Sequence, residues 1–248
     1  MTYLTPIILY LLIGIFAGVM SGVFGIGGGM VRIPLLNLAG LPLLSAFGIN
    51  LFVLPFALSI GALSQRQNIV TPFAGYLIIG GSVGSVVGAL SVGLIPTFIL
   101  AVIFFSTALA TVFGIYLDRI APSLYQKIRP TRVVLTGVPL FLNLITGMRG
   151  GSGGSLLPSF LKTLKLDIHQ AIATSLFVTT FTSLAAMAVY WHRGNIVWLP
   201  AIAVLGGSLI GVRIGSKLSV KAKSRRLEIG LSIFVIALAF ITVYKAWP

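Results

Sequence analysis

The chain has 248 residues, of which 57% are hydrophobic and 8% charged, with a formal net charge of +14 and no cysteine. Soluble domains carry roughly 25% charged residues, so this composition excludes an ordinary soluble enzyme or binding domain; the missing cysteine excludes disulfides, thiol chemistry and Cys-based metal sites. At about 20 apolar residues per crossing, the length suits a single polytopic, all-α membrane domain with room for roughly eight crossings.

Apolar runs fall at about 6–26, 30–41, 43–63, 72–95, 97–117, 133–148, 153–161, 168–190, 196–216 and 227–247. The start, Met1 to Pro6, has no Lys or Arg and leads into no small-residue cleavage pattern, so a removable signal peptide is not expected. Six runs read as plain spanning helices. The pairs 6–26 with 30–41 and 133–148 with 153–161 differ, because each is interrupted by a glycine cluster and followed by Pro. Pro34, Pro55, Pro139 and Pro158 read as kinks or helix starts, and Tyr190, Trp191, Trp198 and Trp247 as interfacial aromatics.

The first cluster, Gly27-Gly28-Gly29 with Met30 to Pro34, has a counterpart 124 residues on in Gly151-Ser152-Gly153-Gly154 with Ser155 to Pro158. Ala46 to Phe52 matches Ala171 to Phe177, and Gly80 to Val83 matches Gly206 to Leu209, in the same order. Two homologous halves follow: about 1–117 and 133–248, joined by a basic linker at about 118–132.

Charge decides how the halves are oriented. With four full crossings per half, the linker (Arg119, Lys127, Arg129, Arg132) and the loop 217–226 (Lys217, Lys221, Lys223, Arg225, Arg226) would face opposite sides, against the positive-inside rule. If each glycine-broken pair is instead a re-entrant hairpin of two half-helices followed by three crossings, both loops lie inside with Arg66, Lys162 and Lys165, leaving only Arg193 and Lys245 outside. The expected fold is therefore two inverted-topology repeats, each a glycine-broken re-entrant helical hairpin plus three transmembrane helices. Both termini face out. The basic residues are thus topological, and no nucleic-acid partner is implied.

A glycine break at membrane depth is tolerated only where protein or a water-filled cavity satisfies its backbone, and the half-helix beginning after it offers free N–H groups to an anion. Gly27, Gly28 and Gly29 form one candidate cradle; Gly151, Ser152, Gly153, Gly154 and Ser155 form the other. Evenly spaced glycines elsewhere, Gly84 with Gly88 and Gly207 with Gly211 and Gly215, read as helix packing. Arg32 follows the first break and Arg149 directly precedes the second, and an ionised residue at depth is a functional-site hypothesis by default. The three acids, Asp118, Asp167 and Glu228, all fall at predicted helix ends, which leaves an anionic substrate to neutralise the arginines. Arg149 ranks first by position. Arg213 lies near enough to the basic loop to snorkel. Asn50 in the first half, with Thr174 and Ser175 in the second, complete the set as hydrogen-bond donors; for Asn50, interhelical bonding is the competing use.

The glycine motifs GVFGIGGGMVRIPLL (Gly22 to Leu36) and GMRGGSGGSLLPSFL (Gly147 to Leu161), in a two-repeat layout over nearly the whole chain, resemble the TauE/SafE family of sulfite exporters and 4-toluenesulfonate uptake permeases. The resemblance implies secondary transport of sulfur-containing oxyanions such as sulfite, or of organosulfonates, across a bacterial inner membrane. The residues alone specify only a small anion. A passive anion channel with the same site is the alternative, followed by a non-transporting scaffold. No catalytic constellation, metal-ligand spacing or cofactor motif is present, so neither enzymatic activity nor a cofactor is expected. The expected partners are a small anionic substrate and the lipid bilayer, with room for a homo-oligomer.

Overall fold

The computed structural model describes residues 4–94, 96–151, 154 and 156–246. Ser152, Gly153, Ser155 and Trp247 therefore lie outside the described residues. The described chain is all-helical: α1 (Leu4–Phe24), α2 (Gly29–Leu38), α3 (Leu43–Ser64), a 3-10 turn (Arg66–Asn68), α4 (Thr71–Leu90) and α5 (Thr97–Ile115), then the short α6 (Leu117–Ile120) and α7 (Pro122–Lys127) in the linker. The second half holds α8 (Arg132–Gly147), α9 (Leu157–Thr163), α10 (Ile168–His192), α11 (Trp198–Lys221) and α12 (Ser224–Ala246). Among the described residues α1, α3, α4, α10 and α11 are long and apolar enough to cross a membrane.

Local chemistry sets these boundaries. α1 stops where Gly25, Gly27 and Gly28 take φ of +70°, +76° and +67°, a left-handed conformation that ends a helix and that residues with a Cβ resist. Pro158 sits in the first turn of α9, where its missing N–H costs nothing. Asp167 caps α10 by accepting from the N–H groups of His169 (2.8 Å) and Gln170 (3.1 Å), while Gln170 returns an acceptor to the Asp167 N–H. Pro34, Pro55 and Pro139 lie inside α2, α3 and α8.

The arms of each broken pair are unequal. α1 has 21 residues against 10 in α2, and α8 has 16 against 7 in α9. At ~1.5 Å per residue, α1 is longer than a half-helix and long enough to cross. α2 nevertheless folds back along it, with Gly28 beside Ala17 and Ser21, and Leu36 in one buried cluster with Tyr10 and Ile13.

Glycines fix the helix directions because they let backbones touch. Gly14, Gly18 and Gly22 of α1 meet Val204, Ser208 and Val212 of α11 in that order, and Gly207, Gly211 and Gly215 meet Leu11, Ile15 and Val19, so the two helices run parallel. Gly80, Gly84 and Gly88 of α4 meet Thr136, Leu140 and Leu144 in the same way, so α4 and α8 are parallel too. In α3, Phe52 stacks edge-on against Trp198 and Gly61 approaches Val212 and Ser216, which aligns α3 with α11. Gly48 beside Asn195 and Gly61 beside Leu176 set α10 against α3, while Val70 beside Thr174 and Gly81 beside Thr182 set α10 along α4. α1, α3 and α11 therefore point one way, and α4, α8 and α10 the other. These directions bring Arg66, Arg132 and the loop after α11 to one end of the bundle and Arg193 to the other.

Helix pairings in the two halves mirror each other: α1 with α11 answers α8 with α4, α3 with α11 answers α10 with α4, and α2 with α3 answers α9 with α10. At the Arg193 end of the bundle Trp191 and Trp198 stack edge-on at 5.1 Å. Tyr190, expected with them at the interface, is instead wholly buried, because its position in the helical turn faces the bundle.

Candidate functional site

Arg32, the fourth residue of α2, is 0% exposed. Its side chain donates to Asn50 Oδ1 of α3 at 2.6 Å and to Ser208 Oγ of α11 at 3.0 Å, and its Nε has no partner among the described residues. Ser208 lies near the middle of α11 and itself donates to the Gly14 carbonyl at 3.2 Å, so the guanidinium sits deep between α1, α3 and α11. No carboxylate among the described residues is within ion-pair distance of it. Glu228 is engaged elsewhere, with Lys162 (2.9 Å) and Arg119 (3.6 Å), and Asp167 serves as the cap of α10. A cation in the first turn of a helix also sits at the positive end of the macrodipole. Both fields therefore favour an anion here, and neither helps the arginine hold its place.

Asn50 joins the two breaks. Its Oδ1 accepts from Arg32, and its Nδ2 donates to the carbonyl of Gly150 at 2.8 Å, in the second break. Gly29 must lack a side chain because a Cβ there would fall 2.6 Å from Asn50 Nδ2. Ser175 of α10 makes the reciprocal contact: its hydroxyl donates to the Gly25 carbonyl of the first break at 2.9 Å and lies 3.5 Å from the Gly154 carbonyl. Asn50 and Ser175 occupy the same place in the repeated AFGINLF and AIATSLF segments. Gly25 and Gly150 both have positive φ. Each half thus holds the broken backbone of the other through one polar side chain on its third helix.

The sequence-predicted residues divide accordingly. Gly27, Gly28, Gly29, Arg32, Asn50, Gly154 and Ser175 are brought together, with a Cβ on Gly27 lying 3.9 Å from the Gly154 Cα. Arg149 is half-buried just past α8, its N–H bonded to the Thr146 carbonyl at 3.1 Å, and Gly151 follows with its N–H on the same carbonyl at 2.9 Å. Thr174 turns away: its hydroxyl accepts from the Val70 N–H at 3.0 Å, ahead of α4. One of the N–H groups of Asn50 is taken by Gly150, the interhelical use. Arg213 is exposed on α11. The sequence reading missed Ser208, which it used only to align the repeats. It also missed Thr179, one turn beyond Ser175, whose hydroxyl is buried beside Gly154, and the pair Ser85 with Asn143 (2.9 Å) between α4 and α8. A four-residue spacing from Ser175 was the available signal for Thr179.

Comparison with known proteins identifies the family. Residues 10–242 match the family described as Sulfite exporter TauE/SafE. The chain is 26% identical over 228 residues to a probable membrane transporter protein, ORF9, of Sinorhizobium, covering 90% of this chain and 87% of that one. It is 24% identical over 275 residues to the probable membrane transporter protein YunE of Bacillus subtilis, covering 96% and 97%, and 26% identical over 246 residues to MJ0441 of Methanocaldococcus jannaschii, also a probable membrane transporter protein, covering 86% and 88%. No solved structure matches the chain. A match over nearly the whole chain, on a helical bundle built around two glycine breaks, places this protein in the TauE/SafE family of membrane transporters.

Proposed function

We propose that the protein is a secondary-active transporter of a small sulfur-containing anion, such as sulfite, a related sulfur oxyanion or an organosulfonate, working by alternating access. The observation that carries this reading is Arg32: a wholly buried guanidinium at the start of a broken helix, held by neutral partners, with one N–H unpartnered among the described residues. Buried charges are paired or neutralised, and a transported anion is the counter-charge that the site itself omits. Arg149, at the head of the second break, would add positive charge from the other repeat.

The two halves act as inverted-topology repeats in this account. The opposite directions of α1 and α3 against their counterparts α8 and α10 support it, as does the collection of basic loops at one end of the bundle. That end faces the cytoplasm of a bacterial cell under the positive-inside rule. Rocking of one repeat against the other would carry the anion across, breaking and remaking the crossed bonds of Asn50 and Ser175.

Thermal unfolding of the purified protein tests the site, since a ligand of the native state raises the apparent unfolding temperature by mass action. In a panel of sulfite, thiosulfate, sulfate, sulfoacetate, taurine, phosphate and chloride, a sulfur anion should stabilise the wild type selectively, and Arg32→Gln, recovered as a monodisperse protein, should lose the shift. An equal shift in both proteins, or no selective shift in the wild type, would overturn the assignment.

A further inference from the structure

The anion site leaves one buried hydroxyl unused. Thr179 is 0% exposed and its hydroxyl has no partner among the described residues. That hydroxyl packs on the second break, 2.7 Å from where a Cβ on Gly154 would stand, and the Thr179 methyl lies 3.8 Å from a Cβ on Gly27 in the first break. Ser175, one turn earlier on α10, puts its hydroxyl 2.9 Å from the Gly25 carbonyl oxygen and 3.5 Å from that of Gly154. The Ser175 hydroxyl is therefore gathered with two break carbonyls, and the unpartnered Thr179 hydroxyl lies one turn on against Gly154, all on the α10 side.

We propose that Ser175, Thr179 and the carbonyl oxygens of Gly25 and Gly154 form a binding site for a monovalent cation, Na+ by preference. Unwound carbonyls at a helix break are established ligands for coupling cations in broken-helix transporters. The donor set is entirely neutral, whereas Ca2+ and Mg2+ sites draw on carboxylates, and the described residues contain no cluster of three His, Cys, Asp or Glu side chains. A cation placed here would share the anion between itself and Arg32, so each ligand would tighten the other reciprocally. This inference rests on the reading of the two breaks as the transport site.

The test keeps the two ideas separate. With no sulfur anion present and with chloride and ionic strength fixed, unfolding is followed while choline is replaced by Na+, K+ or Li+, and 22Na+ binding is measured directly. Na+ should stabilise the wild type more than K+ does. Thr179→Val, which keeps the shape and loses the hydroxyl, and Ser175→Ala should each weaken apparent Na+ affinity about tenfold or more, whereas Thr179→Ser should retain it. In choline alone, the sulfur-anion shift of Thr179→Val should equal that of the wild type. Identical behaviour of the wild type in Na+ and choline, or an undiminished Na+ response in Thr179→Val, would overturn the cation site while leaving the anion assignment to its own test.

Discussion

Arg32 keeps its position through two hydrogen bonds to neutral groups, and hydrogen bonds to a charged group contribute about 1.5–3 kcal/mol each. Ser208→Ala removes one of them and should lower stability by about 1–3 kcal/mol in reversible denaturation. Ser219, equally buried on the same helix but with a hydroxyl lacking any partner among the described residues, should tolerate Ala with no loss. Equal losses at the two positions would mean that burial, and not the bond to Arg32, sets the cost. At this scale the sequence was informative where a polar residue stands out in an apolar run, as with Arg32 and Asn50, and where glycine runs break a helix. It was uninformative about rotation. Thr174 and Ser175 are neighbours, so they face directions about 100° apart around the helix, and only Ser175 reaches the breaks while Thr174 serves the Val70 N–H.

The two glycine-lined pairs, α1 with α11 and α4 with α8, each join one half of the chain to the other through close backbone contact. Small residues spaced by four were legible as packing in Gly84, Gly88, Gly207, Gly211 and Gly215, and these do meet backbone. The matching stripe Gly14, Gly18 and Gly22 escaped notice because α1 is apolar all round and gives no face to read. Gly211→Val should destabilise the protein by about 1–3 kcal/mol through overpacking against Ile15 and Val19. Gly206→Val, one position where an added Cβ meets nothing within 4 Å, should leave the unfolding temperature unchanged. The unequal arms were legible in the apolar runs, 6–26 against 30–41 and 133–148 against 153–161; what the runs did not tell is that α1, at 21 residues, is longer than the expected half-helix while α2 packs back along it.

Across the whole molecule, one polar side chain from each half holds the backbone of the other at the breaks, through Asn50 to Gly150 and Ser175 to Gly25. These are long-range contacts, 100 and 150 residues apart in sequence, and repeat alignment predicts the equivalence of Asn50 and Ser175 but not which carbonyls they reach. A carrier built this way must loosen the crossed bonds to change its open face, whereas a channel need not. Counterflow in proteoliposomes distinguishes the two: vesicles loaded with unlabelled sulfite, thiosulfate or taurine are diluted into a trace of the same 35S-labelled compound. The account predicts a transient accumulation of label above equilibrium for a sulfur anion with the wild type, and its loss in Arg32→Gln. Equilibration without overshoot, or an overshoot that survives Arg32→Gln, would contradict it.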